Sequence, residues 1–225
     1  MGPSNIYRRA VAIGAIAAAF ALPAAGANAA ATQPPPAPPA SSADVDGFRS
    51  ARFGMSESAV RAAIESDFQL SGSSVIAADN ELQRTPVLRI HVPDLVPGGG
   101  ITQIDYIFGY HSRALIEVNI LWSAATDSHI TSEQLIANGG ALQAYLQKEN
   151  FAPDRTVRNR VLRDGNVLLF RTRDFAGHAI VLVLSGKRET SADGKSFHLT
   201  PTALTLAYAA NPAHPDVFEL KNGAF

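Results

Sequence analysis

Residues 104–122 read IDYIFGYHSRALIEVNILW, and the fold is decided there. Ile104, Tyr106, Phe108 and Tyr110 occupy every second position, and Ile116, Val118, Ile120 and Trp122 repeat the pattern. Side chains of a strand alternate between its two faces, so each run has one apolar and one polar face, as half-buried antiparallel strands do. The Gly109–Arg113 stretch between them is short enough for a hairpin connection. Toward the N-terminus, Leu88, Ile90 and Val92 alternate with Arg89 and His91 and add a third strand.

A helix precedes these strands. Ser56 is placed to accept hydrogen bonds from the free amides of a first helical turn, and Met55 with Val60 fits the hydrophobic staple. Val60, Ala63, Ile64 and Phe68 follow at helical spacing. The pattern then recurs. Thr131 and Gln134 form a T-x-x-Q capping box, Ile130 with Leu135 forms a second staple, and Leu135, Leu142, Tyr145 and Leu146 supply an apolar stripe. Gly139-Gly140 predicts a break or bend in that helix. Three further strands are expected at Val167–Thr172, Ala179–Leu184 and Ala203–Tyr208, with Asp193-Gly194 in the last turn region. The expected fold is therefore α+β: two units, each a helix plus three antiparallel strands, with the helices packed on one sheet face.

The N-terminal segment predicts export. Arg8 and Arg9 form a basic n-region, Ala10–Leu22 is apolar, Pro23 breaks the helix, and Ala27-Asn28-Ala29 is an A-x-A cleavage site before Ala30. The apolar run is shorter than the roughly 20 residues a membrane span needs. No span therefore remains after cleavage, and the mature chain is expected in a bacterial periplasm. Both the general secretory and the twin-arginine routes stay open. The expected organisation is a signal peptide at 1–29, a Pro/Ala/Ser-rich tether at 30–46 built on Pro34-Pro35-Pro36 and Pro38-Pro39, a first unit at 47–127 and a second at 128–225.

Gly54-Met55-Ser56-x-x-x-Val60 opening a helix, followed by strands of the Tyr106-Ile107-Phe108 and Val118-Asn119-Ile120 kind, resembles the BamE-like (SmpA/OmlA) group of small envelope proteins over about Phe53 to Trp122. A doubled helix-plus-sheet unit is similar in outline to beta-lactamase inhibitory proteins. The resemblance implies a non-enzymatic envelope protein that touches other proteins. BamE-like lipoproteins carry an acylated cysteine, whereas this chain has no cysteine, and its second half has no counterpart in the single-unit members.

The absence of cysteine also excludes disulfides, thiolate metal sites and a thiol nucleophile. The six histidines, His91, His111, His129, His178, His198 and His214, include no pair three to five residues apart, so no local metal arm and no metal is expected. Gly194-Lys195-Ser196 ends like a phosphate-binding loop, but Glu189 stands where the first glycine is required, and no G-x-S-x-G elbow occurs. No catalytic residue, no cofactor and no nucleic-acid partner is expected. Removing the two signal arginines leaves 17 basic and 20 acidic residues, a balance that does not favour a polyanion such as nucleic acid.

The charge is divided unevenly along the chain. Residues 44–147 carry 6 basic and 12 acidic side chains, and residues 148–195 carry 10 and 6. Arg155, Arg158, Arg160, Arg163, Arg171 and Arg173 are a candidate patch for an anionic partner, since the guanidinium fork binds phosphate or carboxylate at two points. The functional expectation is an exported binding or accessory protein without catalysis, acting through a sheet face or edge and the arginine-rich region. Its partner would be an envelope protein or an anionic envelope component. A hydrolase with dispersed His, Asp and Ser residues, or a self-associating structural component, is the alternative.

Overall fold

The computed structural model describes residues 42–190 and 197–220. The cleavage-site residues Ala29 and Ala30, the tether through Ser41 and the Asp193-Gly194 turn lie outside the described residues.

Two short strands, β1 (Gly47–Phe48) and β2 (Ala51–Arg52), pair with each other and lead into helix α1 (Glu57–Phe68). The strands β3 (Ile76–Asn80), β4 (Thr85–Pro93), β5 (Ile101–Phe108) and β6 (Leu115–Ser123) follow. Helix α2 (Ser132–Leu146) then precedes β7 (Val157–Val161), β8 (Val167–Arg173), β9 (Ala179–Thr190) and β10 (Phe197–Ala209).

Both helices start as the sequence dictates. The Ser56 hydroxyl accepts from the Ala59 amide at 3.4 Å, and Glu57 places an acid in the first turn of α1. At α2 the capping box is complete: the Gln134 amide donates to Thr131 Oγ1 at 3.2 Å, and the Thr131 amide donates to Gln134 Oε1 at 3.0 Å. The glycine pair does not interrupt α2. A Cβ at Gly139 would lie 2.7 Å from Leu169 Cδ1 and 3.4 Å from Leu204 Cδ1. The missing side chain therefore lets the helix approach the sheet closely, and packing outweighs the low helix propensity of glycine.

The two expected helix-plus-three-strand units are not what forms. The chain is mostly β, with a single eight-stranded antiparallel sheet, the small β1–β2 sheet and two α-helices among the described residues. The strand order is β3-β4-β5-β6-β10-β9-β8-β7. Strand β6 pairs with β10 over Glu117–Ser123 and Ala203–Ala209, so both halves of the chain enter one sheet.

The short β1 and β2 are not expected from the sequence, and the two strands of the eight-stranded sheet absent from that reading, β3 and β7, are its edges. Their sequences, IAADN and VRNRV, have no buried position. A strand that buries neither face needs no hydrophobic alternation, so the period-two signal is missing where the strand is real.

The core lies on one face of the sheet. Leu88 and Ile90 of β4, Ile104, Tyr106 and Phe108 of β5, and Val118, Ile120 and Trp122 of β6 join Leu204, Leu206, Leu182 and Phe170 in one cluster. Val60, Ala63 and Ile64 of α1 and Leu135 and Leu146 of α2 complete it, and α2 lies across β8–β10. Tyr145 of the expected α2 stripe is instead 59% exposed.

The stretch entering β1 is tied into the fold. Val45 is buried in the core, its amide donates to Asp174 Oδ2 at 3.0 Å, and the Ala43 amide donates to the Asn150 carbonyl at 2.8 Å.

Candidate binding face

The sheet register aligns residues in rows on the face turned away from both helices. One row runs Arg89, Asp105, Asn119, Ala207, Val181, Arg171 across β4, β5, β6, β10, β9 and β8. The neighbouring row is Val87, Ile107, Glu117, Ala209, Ala179, Arg173. On the other side lies His91, Gln103, Leu121, Thr205, Val183, Leu168. Val87, Ile107, Leu168 and Val183 are buried, yet none belongs to the core cluster between sheet and helices. These four side chains are covered in the folded chain, while Leu121, Val181, Thr205, Ala207 and Ala209 at the centre of the face stay partly exposed.

Polar chemistry is concentrated on the β4–β6 side. Arg89 grips Asp105 through two hydrogen bonds of 2.7 Å, and Gln103 Nε2 donates to the same carboxylate at 3.0 Å. The hydrogen bond that Arg89 donates to Asp105 outweighs burial and raises the Arg89 pKa.

One strand over, Asn119 is 3% exposed, and neither its Nδ2 nor its Oδ1 completes a hydrogen bond. Glu117, two residues before it on the same face, is partly exposed, but its carboxyl is desolvated. Burial pushes the Glu117 pKa up, and the nearby Asn119 amide pulls it back only in part. Glu117 makes no ion pair among the described residues. Across the sheet, burial first and the Arg173 charge second lower the Arg171 pKa.

The six arginines of the expected patch are distributed rather than gathered. Arg171 and Arg173 stand in the rows just described. Arg155 donates to the Asp174 carbonyl at 3.1 Å and lies over the Phe175 ring at 4.2 Å. Arg158 is paired with Phe170, a core residue, whereas Arg160 is paired with Leu168, which lies outside the core cluster. The left-handed Asn159 between them, at φ 52°, breaks the alternation of the edge strand. Arg163 lies in the turn between β7 and β8.

Three His/Asp contacts look catalytic at first sight, and their geometry assigns them to turns. Asp216 accepts the His111 and Ser112 amides at 3.0 and 2.8 Å and so clamps the hairpin turn after β5. Burial opposes ionisation of Asp216, but these amides hold its carboxyl below the usual range. Asp127 accepts the Ile101 and His129 amides, both at 3.0 Å, which lowers its pKa in the same way. His129 is 95% exposed, and the single ring nitrogen Nδ1 faces both Ser128 and Asp127, so no proton relay is built.

Asp174 takes the His178 amide at 2.8 Å, and His178 Nδ1 lies 3.1 Å from it without hydrogen-bond geometry. Among the described residues no three His, Cys, Asp or Glu side chains are grouped to hold a metal ion. A shallow hollow beside β3, lined by Glu57, Asp79, Pro86 and Phe108, offers carboxylates but no nucleophile, and Glu57 is engaged by Arg61 at 2.8 Å.

The sequence reading missed Glu117 and Asn119. They look like ordinary solvated positions of an alternating strand, and only the register that sets them beside Ile107, Asp105, Ala207 and Ala209 distinguishes the buried Asn119 from the partly exposed Glu117. Compared with known proteins, the chain matches no family model, no curated protein and no solved structure.

Proposed function

We propose that this chain is an exported, non-catalytic binding protein of the bacterial envelope, and that the helix-free face of its sheet is the surface that engages a partner. The observation that carries the reading is a band of partly exposed small and apolar residues, Leu121, Val181, Thr205, Ala207 and Ala209, on a face that no helix covers among the described residues. Asn119 is almost fully enclosed beneath this band, and Glu117 beside it is partly exposed. A weakly charged, partly apolar centre of this kind suits a face that closes against another molecule.

The scattered arginines lend less support to an anion patch than these groups lend to the face. The signal-peptide pattern at residues 1–29 supports export, and the resemblance to small envelope proteins fits the same setting.

Affinity capture from periplasmic extract tests the reading with two variants. Thr205→Lys places a long charged side chain in the centre of the face, and Glu133→Lys makes a charge change at the start of α2. The partner captured by the wild-type mature chain should be retained by Glu133→Lys and lost with Thr205→Lys. Equal capture by both variants would refute the assignment of the face.

A further inference from the structure

The two edges of the eight-stranded sheet are built differently. Strand β7 is guarded: Arg158 and Arg160 are exposed on it, and the left-handed Asn159, at φ 52°, has no partner in the ladder with β8. Charges and a bulge of this kind keep a foreign strand from pairing. Strand β3 carries neither device. Its five residues, IAADN, pair with β4 from Ile76↔Arg89 to Asn80↔Thr85 without a register shift, and they include no lysine, arginine or proline. Among the described residues, no main-chain hydrogen bond ties residues 76–80 to anything beyond the β3–β4 ladder. Alternate N–H and C=O groups of β3 therefore point out of the sheet, ready to pair.

The surroundings of that edge define what can pair there. Ala77 stands opposite the core residue Leu88, so Ala77 and Asp79 lie on the side of the sheet that carries the helices. A hollow opens on that side, lined by Glu57, Ala77, Asp79, Pro86, Leu88 and Phe108. Its lining is apolar apart from two carboxylates. Glu57 holds Arg61 at 2.8 Å, whereas Asp79 makes no ion pair among the described residues. Glu81 follows the strand, and no basic residue stands between Ser71 and Gln83. On the opposite, helix-free side, Ile76 is 47% exposed and lies beside Arg89. A cation is thus favoured on the hollow side, and an apolar side chain on the other.

We propose that the β3 edge accepts an extended segment of a partner polypeptide as a ninth strand of the sheet, and that this segment alternates apolar and basic residues. Its main chain would continue the ladder, which supplies affinity, while its alternate side chains supply selectivity. Lysine or arginine side chains would lay their aliphatic stems along the hollow and bring their charge to Asp79 and Glu57. The apolar side chains between them would cover Ile76 and Ala78.

This edge is four strands away from Thr205 on β10, so it is tested separately from the helix-free face. The mature chain is titrated with the blocked peptide acetyl-Val-Lys-Val-Lys-Val-amide and followed by the backbone amide NMR signals of β3. Two peptides run in parallel: the Val-Glu-Val-Glu-Val analogue, and the lysine peptide N-methylated at its three central residues, which keeps the charge but loses those main-chain donors. Saturable shifts centred on residues 76–80 and slowed hydrogen exchange there are expected with the lysine peptide, and neither with the other two. Asp79 is exposed, so Asp79→Asn leaves the fold intact and should weaken lysine-peptide binding about two- to fivefold, the range of an exposed ion pair. Asp154→Asn, equally exposed, should leave binding unchanged.

Equal binding of the N-methylated or the glutamate peptide, no saturable shift with any peptide, or full binding by Asp79→Asn would each overturn the proposal. Shifts of the β3 amides that grow with protein concentration alone would place a second copy on the edge and overturn it as well. If Thr205→Lys leaves partner capture intact while the lysine peptide binds β3 as expected, the helix-free face falls and the edge stands.

Discussion

Replacing Asp174 with alanine should be among the most damaging single changes outside the apolar core. The Asp174 side chain is 1% exposed and closes two backbone contacts far apart in sequence, to the Val45 amide at 3.0 Å and the His178 amide at 2.8 Å. Alanine leaves both donors without an acceptor. A fully buried unsatisfied amide costs up to ~3 kcal/mol and a partly hydrated one ~1 kcal/mol. Val45 is buried and His178 only partly so, which puts the loss at about 3–4 kcal/mol. For a folded unit of this size each kcal/mol moves Tm by about 2–4 °C, so a fall on the order of 10 °C is expected. Urea unfolding of the mature chain gives the free energy, and a thermal scan gives the shift. Asp174→Asn keeps one oxygen as acceptor and should recover about half the loss. The exposed Asp154→Ala should stay within about 0.5 kcal/mol of wild type. A cost for Asp174→Ala no larger than that of Asp154→Ala would refute the clamp that ties the entering chain to the β8–β9 turn.

Three other outcomes follow from the geometry. Thr131→Ala removes the acceptor of the α2 capping box and should cost about 1 kcal/mol in urea unfolding, whereas Thr131→Ser should cost much less. Burial raises the folded-state pKa of Glu117 above its unfolded value of about 4.3, so this residue's contribution to stability falls as pH rises from there toward the folded value. Glu117→Gln should then be more stable than wild type near pH 7 and lose that advantage near pH 4, and parallel pH–stability curves would show that the carboxyl is well solvated. N-terminal sequencing of a periplasmic fraction should find a chain beginning at Ala30, and an intact Met1 in the cytoplasm would contradict export.

Much of the fold was legible because its information is local. Ser56 and Thr131 start helices where their hydroxyls meet free amides, and the alternating runs around Tyr106 and Val118 are strands whose apolar positions enter the core. What escaped is set by partners distant in sequence. Strand β3 is held by pairing to β4, and β7 by pairing to β8, while neither buries a side chain that would mark it. The joining of β6 to β10, which makes one sheet of the whole, rests on register between residues 117–123 and 203–209.

The candidate site was less legible for the same reason. Arginines clustered along the chain were distributed by a left-handed residue, a hairpin and a turn. The burial of Asn119 shows only in the folded sheet, where Asp105 and Ala207 are its cross-strand neighbours. Gly139 misled in the opposite direction, since its packing against Leu169 and Leu204 turned a helix breaker into a contact point.

The assignment of the helix-free face is tested most directly by photo-crosslinking in intact cells. A photoreactive residue is placed at Thr205, in the centre of that face, or at Ile136, which is 54% exposed on α2. The account predicts a discrete partner adduct from position 205 and none from position 136. Adducts arising from position 136 alone, or equally from both positions, would contradict it.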